Sequence, residues 1–152
     1  MIFKKISLAS DHAGFEMKEN IKDFLSKHGL ETVDFGTNSH ESVDYPDFAH
    51  LLASSIEESK CDAGIAICGS GNGINMTVNK HCKIRGALCW TAEIAKLSRL
   101  HNDANVCCLP ARFINNKTAI EIVYNFLSTD FEGGRHEERI RKISIDLLSN
   151  QK

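Results

Sequence analysis

The sequence lacks a strong net charge, a long apolar run and any region of low complexity. Eighteen lysines and arginines oppose 20 aspartates and glutamates, which leaves a formal net charge of −2. That charge gives no general attraction to nucleic acid or to a membrane surface. No stretch approaches the roughly 18 apolar residues of a membrane-spanning helix. Residues 1–6 are too short and too poor in apolar side chains for a signal peptide, so we expect a cytoplasmic protein.

Paired-cysteine motifs are also missing, although the chain has six cysteines. None stands in a CxxC spacing, which argues against a structural zinc site. In a reducing cytoplasm we expect free thiols, and several lie in apolar runs where cysteine packs as a small hydrophobic side chain. The six are Cys61, Cys68, Cys82, Cys89, Cys107 and Cys108. For Cys107 and Cys108 we predict no role beyond filling the core.

Apolar runs alternate with helical patterns along the whole chain. With no repeat and no linker, residues 1–152 are interpreted as one domain. The pattern predicts strands at 5–10, 31–35, 63–68, 84–89 and 105–109. Helices are predicted at 14–28, 46–59, from 73, from 91 to 101, at 116–129 and at 135–150. This order indicates an α/β fold, a three-layer, doubly wound, Rossmann-like sheet of five parallel strands with flanking helices. Ligands bind such sheets at the carboxyl ends of the strands.

The third predicted strand ends in a thiol followed by a glycine-rich loop. Cys68 precedes Gly69, Gly71 and Gly73, one glycine at every second position. Glycines let the backbone turn tightly and point successive N–H groups inward, as a cradle for an anion or an oxyanion. The start of the following helix favours the thiolate form of Cys68. The loop therefore predicts a nucleophile or base beside an anion site.

Three further polar side chains are predicted at the same edge, the carboxyl ends of the strands. Asp11 and His12 follow the first strand, where they could contact a sugar hydroxyl or a phosphate. Alternatively, Asp11 only caps the next helix. Arg112 follows the fifth strand and is a candidate ligand for a phosphate.

The predicted last helix begins with two arginines that share one face. Arg135 and Arg139 are four residues apart, and two guanidinium groups on one face can clamp a phosphate. The glutamates at 132, 137 and 138 offer an alternative, because they could pair with these arginines on a solvated, charged face.

His101 raises a geometric difficulty. It closes the helix that begins near Thr91, and ten residues at about 1.5 Å each carry it roughly 15 Å toward the opposite edge of the sheet. The neutral interpretation is a histidine that stabilises a helix C-terminus. If His101 is catalytic, it serves the site of a second subunit.

Taken together, the motifs resemble the ribose-5-phosphate isomerase B family over nearly the whole chain. The matching segments are Ser10-Asp11-His12-Ala13-Gly14-Phe15, Asp44-Tyr45-Pro46, Cys68-Gly69-Ser70-Gly71-Asn72-Gly73 with Asn79-Lys80, Ser98-Arg99-Leu100-His101-Asn102-Asp103-Ala104-Asn105, and Gly133-Gly134-Arg135-His136 with Arg139. The resemblance implies an aldose–ketose isomerase of the pentose phosphate pathway that interconverts ribose 5-phosphate and ribulose 5-phosphate through a cis-enediolate.

The resemblance also implies a role for each matching residue. Cys68 is the base between C1 and C2, Ser70 assists it, His101 opens the sugar ring, and Asp11 is a polar partner. The backbone N–H groups of Gly69, Gly71, Asn72 and Gly73 hold the enediolate oxygen. The phosphate ligands are His12, Arg112, Arg135 and Arg139. The sugar contacts are Tyr45 and Asn102.

Further implications concern cofactors, partners and substrate. The family uses no metal or cofactor, and its members form homodimers that share active sites, while pairing of dimers into tetramers stays open. One branch carries a glutamate base where this chain has Ile74, which leaves Cys68 as the base here. A six-carbon aldose 6-phosphate is the alternative substrate. The rival interpretation from another class is a non-catalytic, flavodoxin-like module that binds a phosphorylated metabolite.

Overall fold

The computed structural model describes residues 1–143. Its strands are β1 (Lys5–Ser10), β2 (Glu31–Asp34), β3 (Ala63–Cys68), β4 (Gly86–Leu88) and β5 (Val106–Pro110). Its helices are α1 (Phe15–Lys27), α2 (Tyr45–Glu57), α3 (Asn72–Val78), α4 (Ala92–Asn102), α5 (Asn116–Ser128) and α6 (Arg135–Arg141). The predicted α/β alternation is confirmed, with most boundaries shifted by one or two residues.

All five strands are parallel and form one sheet in the order β2-β1-β3-β5-β4. The chain winds outward from β1 to β2 and then crosses to β3 on the other side of β1. The switch in winding direction therefore lies between β1 and β3, where Ser10 pairs with Ile67. A crevice at the carboxyl ends of two such strands is the usual ligand site of a doubly wound sheet.

Helices cover both faces of the sheet, which gives the predicted three layers. Buried side chains of α1, α4 and α5 pack on one face with Ile6 and Leu8 of β1. Buried side chains of α2 and α3 pack on the other face with Ala9, Ala66 and Cys68. Strand β3 lies at the centre, and its six residues are all buried. The carboxyl ends of β1 and β3 thus lie in the buried centre of the sheet.

Several sequence-based expectations were wrong in detail. Strand β4 has three residues instead of the predicted six. Helix α6 ends at Arg141, with residues 142 and 143 in a turn, and the rest of the predicted helix to 150 lies outside the described residues. Between residues 1 and 143, no helix has both the length and the apolar character needed to cross a bilayer.

Two helix caps follow directly from the sequence. The hydroxyl of Thr91 accepts a hydrogen bond from the backbone of Ile94 at 3.2 Å, which confirms the predicted start of α4. Gly29 has a φ of +74°, the left-handed conformation that favours glycine, and it follows the end of α1.

Candidate active site

Cys68 is the last residue of β3 and pairs in register with Pro110 of β5. Its side chain faces the α2 and α3 layer, and only 3% of the residue is exposed. The thiol therefore lies at the end of the strand, immediately before the glycine-rich loop, and is largely enclosed by protein. A reacting atom that touches it is largely shielded from water.

The loop after Cys68 presents open backbone donors. Within residues 1–143, the N–H groups of Gly69, Ser70 and Gly71 donate no hydrogen bond. The N–H of Asn72 is turned to the Ser70 hydroxyl at 3.3 Å. Gly71 has a φ of +73° and caps α3, whose first internal hydrogen bond comes only from Asn75. Unused donors next to a helix start are able to bind an anion.

Neighbouring side chains explain why this loop needs glycines. A Cβ on Gly69 would touch the Arg112 side chain at 3.3 Å, and one on Gly71 would overlap Leu88. A Cβ on Gly73 would overlap the ring of Tyr45, the first residue of α2. Arg112 is held there by its own N–H, which donates to the carbonyl of Gly69 at 3.0 Å. The structure thus brings Arg112 and Tyr45 to the loop, as predicted.

Asp11 and His12 lie at the same edge, because β1 and β3 are neighbours. Asp11 is 7% exposed, and its Oδ1 accepts a hydrogen bond from the N–H of Gly14 at 3.1 Å. Gly14 is itself the N-cap residue of α1 and the helix has no side-chain cap, so Asp11 orders the turn that leads into the helix and does not cap it. The Nδ1 atom of His12 accepts from the N–H of Val43 at 3.3 Å. The neutral ring consequently carries its proton on Nε2, the only nitrogen left to donate to a ligand.

The remaining predicted residues lie at the opposite edge. Helix α4 ends at Asn102, just before β5 begins at Val106, whereas Cys68 pairs with the last residue of β5. A five-residue strand is about 16 Å long. His101 and Asn102 are therefore separated from Cys68 by the length of the sheet, as the helix length predicted. Helix α6, with Arg135 and Arg139, packs against α4.

The candidate phosphate ligands carry unneutralised charge. Arg135, Arg139 and Arg112 form no ion pair with any carboxylate in the described part of the chain. Glu138 pairs instead with Lys142 at 2.9 Å. The alternative of a charged face in which glutamates pair with these arginines is therefore not what the structure contains. Three free guanidinium groups favour an anionic ligand.

One group near His101 has the composition of a metal site. Ligand atoms of His101, Glu132 and His136 lie within 4.8 Å of one another. The Nε2 of His136, however, accepts from the Nε of Arg135 at 3.4 Å, which uses its lone pair. The positive charges of Arg135 and Arg139 also oppose a cation here. The surroundings suit an anion better than a metal ion.

His136 is a site residue that the sequence patterns did not reveal. The residue is 4% exposed, and its ring stacks on that of His101, with centroids 4.4 Å apart and planes 13° from parallel. Burial, with smaller contributions from His101 and Arg135, lowers the pKa of His136 below its usual value. Its place in the segment Gly133-Gly134-Arg135-His136 was the one available signal, because a contact between residues 35 positions apart leaves no local pattern.

The other cysteines behave as predicted. All six are free thiols. Burial raises the pKa of Cys107 and of Cys108 well above the ordinary thiol value. Both are fully buried in β5 and stay protonated at neutral pH, so they fill the core and have no reactive form.

The chain matches a known family of proteins over most of its length. The model of the ribose/galactose isomerase family matches residues 6–143. Ribose-5-phosphate isomerase B of Escherichia coli is 40% identical over 141 residues, which is 93% of this chain and 95% of that protein.

Solved structures agree with the sequence relatives. Ribose 5-phosphate isomerase of Thermotoga maritima superposes with a TM-score of 0.91 at 50% identity, covering 93% of this chain and 97% of that one. Ribose-5-phosphate isomerase B of Mycoplasma genitalium, solved with bound ribulose 5-phosphate, has a TM-score of 0.90 at 41% identity and covers 97% of each chain. The fold, the motifs and these matches together place the chain in the ribose/galactose isomerase family.

Proposed function

We propose that this protein is an aldose–ketose isomerase that interconverts ribose 5-phosphate and ribulose 5-phosphate, with Cys68 as the base. The observation that carries the proposal is the juxtaposition of one thiol with the open N–H groups of Gly69, Ser70 and Gly71. A proton next to a carbonyl is weakly acidic. Its removal needs a base and a prepared site for the oxyanion at the same time.

The reaction moves one proton between two carbons. In the open-chain aldose, the Cys68 thiolate takes the proton from C2, and the electron pair moves through C1 onto its oxygen. The loop N–H groups stabilise the resulting enediolate oxygen. The thiol then returns a proton to C1, while the hydroxyl proton on O2 transfers to O1 and leaves the C2 carbonyl. Loss of one oxyanion donor typically costs ~10²–10³ in rate.

The remaining residues of this edge position the sugar. Ser70 orders the loop through its bond to the N–H of Asn72, and Gly73 leaves room for Tyr45. Asp11 offers its second carboxylate oxygen to a sugar hydroxyl or to the ring-opening group. His12 donates from Nε2 toward the phosphate end, since Val43 occupies Nδ1.

The phosphate takes no part in bond changes but supplies binding energy. Arg112, Arg135 and Arg139, which have no carboxylate partners among residues 1–143, hold the phosphate oxygens together with His12. Held at that end, the sugar keeps C1 and C2 against Cys68. The free sugar without its phosphate should therefore lose turnover as well as affinity.

The division of these residues between two edges supports a homodimer. His101, Asn102, Arg135 and Arg139 lie the length of β5 from Cys68 in one chain. A second copy with twofold symmetry can bring its own opposite edge to the Cys68 loop, and the same contact repeats once. In this arrangement His101 of one subunit opens the ring at the site of the other. The six free thiols fit a reducing cytoplasm.

An isomerisation assay over a series of five- and six-carbon aldose phosphates tests this function. We expect turnover of ribose 5-phosphate to exceed that of each six-carbon substrate, and a chelator to leave it unchanged. A preference for a six-carbon substrate would reassign the substrate within the family. No turnover of any sugar phosphate, together with measurable phosphate-ligand binding, would support the non-catalytic module.

A further inference from the structure

His136 stands apart from the other six histidines of the chain. Those six are exposed or half-buried, whereas His136 is buried between α4 and α6. Its ring lies almost parallel to that of His101. Stacked rings at this spacing restrict each other's rotation, because a turn of either ring drives its edge into the face of the other.

The second contact of His136 is with Arg135. The guanidinium Nε donates to the Nε2 of His136 at 3.4 Å, so this nitrogen serves as an acceptor. An acceptor nitrogen requires the neutral ring, and the lowered pKa of His136 agrees with that form. The long side chain of Arg135 is exposed and loses much rotational freedom when this bond holds it.

The charged groups around the two rings are few. Glu132 places a carboxylate oxygen 3.9 Å from the Nε2 of His101 and 4.0 Å from that of His136. Arg135 and Arg139 face His136 from α6. Glu132 is tied to α4 by its N–H, which donates to the carbonyl of Leu100 at 3.1 Å. The contacts of His136 therefore join α4 to α6 through groups that the reaction uses.

We propose that His136 is a positioning residue that holds the ring of His101 and the guanidinium of Arg135 in one fixed unit. The inference rests on the proposed function, in which His101 opens the sugar ring and Arg135 binds the phosphate. One side chain then influences both ring opening and phosphate binding. Its flat ring orients the ring-opening group, and its acceptor nitrogen orients a phosphate ligand.

Two substitutions separate these contributions. His136→Phe keeps a flat ring against His101 but removes the acceptor, so KM for ribose 5-phosphate should rise several-fold with little change in kcat. His136→Gln keeps an acceptor but removes the ring, so kcat should fall about tenfold with little change in KM. His28→Gln, on an exposed histidine at the end of α1 whose ring bonds the carbonyl of Phe24, is the matched control. Thermal unfolding of each variant checks the fold.

A second readout isolates ring opening from proton transfer. Ribulose 5-phosphate cannot close a five-membered ring, because its C5 oxygen carries the phosphate. Exchange of its C1 proton in D2O, followed by NMR, therefore needs Cys68 but not His101. His136→Gln should keep near wild-type exchange while turnover of ribose 5-phosphate falls. A general structural defect would lower both equally, and that result would overturn the inference.

A crystal structure of His136→Gln tests the positioning without any assay. We expect the His101 ring in more than one orientation, or rotated from its wild-type position. An unmoved His101 ring, or identical kinetics for the Phe and Gln variants, would overturn the proposal. If the wild-type chain fails to isomerise ribose 5-phosphate, the proposed function fails, and the crystal structure still decides whether His136 orients His101.

Discussion

A single added Cβ atom would change the conformation of the loop after Cys68. Its glycines leave space that a Cβ would fill, and each space is taken by a specific neighbour, such as Leu88 at Gly71 and Tyr45 at Gly73. Gly71 adds a positive φ, so it combines a conformational and a steric requirement. The conformation of the loop therefore depends on the absence of a Cβ at these glycines.

Gly71→Ala should both destabilise the protein and reduce catalysis. A non-glycine residue at φ +73° costs about 1–2 kcal/mol, and the overlap with Leu88 forces the loop to shift. We expect kcat to fall by at least ~10²-fold, since misdirected donors no longer meet the oxyanion.

Gly29→Ala is the matched control for Gly71→Ala. Gly29 has a φ of +74° but no neighbouring atom within 4 Å of a new Cβ, and it precedes β2 at the other end of the sheet from the Cys68 loop. It should cost a similar conformational strain, measured by chemical denaturation, with unchanged kcat. Equal kcat in the two variants would show that the loop donors play no part in the reaction.

Arg139→Ala should raise KM for the phosphorylated sugar, with a smaller effect on kcat. The guanidinium has no carboxylate partner among residues 1–143, so its removal breaks no ion pair and should leave stability within ~0.5 kcal/mol. Arg141→Ala, on the same helix but two residues away, controls for the loss of charge. An unchanged KM in Arg139→Ala would return this arginine to a solvated surface role.

At the scale of secondary-structure elements, a buried lysine joins α1 to β2, a contact that the sequence patterns did not reveal. Lys18 of α1 is fully buried, with its Nζ 2.5 Å from Asp34 of β2 and 2.7 Å from Glu19. Lys22 joins the same carboxylate at 2.8 Å. Asp34 also accepts from the N–H of Gly36, whose carbonyl accepts from Ser10 at the end of β1. The cluster therefore anchors the β2–α2 loop beside the site.

Asp34→Asn should lower stability by about 3 kcal/mol near pH 7, because Lys18 loses its main buried counter-charge. Burial alone would raise the pKa of Asp34, but hydrogen bonds from Lys18, Lys22 and Gly36 outweigh it and hold the pKa below 3.8. A depressed carboxyl pKa stabilises the fold above 3.8, and this contribution disappears as the pH falls through the folded-state pKa.

Denaturation of Asp34→Asn and wild type from pH 7 down to pH 2 checks this. The stability difference should be constant above about pH 5 and shrink toward zero in acid. Glu31→Gln, which breaks the exposed Lys5–Glu31 pair, is the control and should leave stability nearly unchanged at every pH, because water screens this pair. A difference that persists at pH 2 would mean that packing, and not charge, makes Asp34 important.

Local patterns predicted the strands and helices, including the start of α4 near Thr91, because each depends on residues close in sequence. They could not give the strand order, in which β5 lies between β3 and β4, since this depends on packing between distant segments. The hydrophobic pattern of α1 likewise predicts that Lys18, a charged residue, is exposed. The stack of His136 on His101 is also non-local, as is the lack of a carboxylate partner for Arg135 among residues 1–143, so the sequence left both of these open.

At the scale of the whole molecule, one chain holds two halves of the proposed site at opposite edges of its sheet. If a partner joins them, subunits with different defects can compensate. Cys68→Ala and His101→Ala should each be inactive alone. Mixed in equal amounts and allowed to exchange subunits, they should recover about a quarter of wild-type activity, because half the dimers are mixed and each has one intact site.

The mixing experiment needs proof that mixed dimers form. Differently tagged variants, separated by affinity and counted by mass spectrometry, provide it. In a mixture of Cys68→Ala with Arg139→Ala, the mixed dimers should add a fraction of activity that has the wild-type KM in place of the raised KM of Arg139→Ala. No recovery in verified mixed dimers would show that each chain builds its site alone, against the separation between Cys68 and His101.

The most direct test of the account follows the C1 proton of ribulose 5-phosphate in D2O with wild-type protein and with Cys68→Ala. The wild type should exchange this proton and release ribose 5-phosphate. Cys68→Ala should show neither reaction, while it still binds ribulose 5-phosphate with near wild-type affinity in calorimetry. Exchange at a near-normal rate in Cys68→Ala would contradict the assignment of the thiol as the base and, with it, the proposed mechanism.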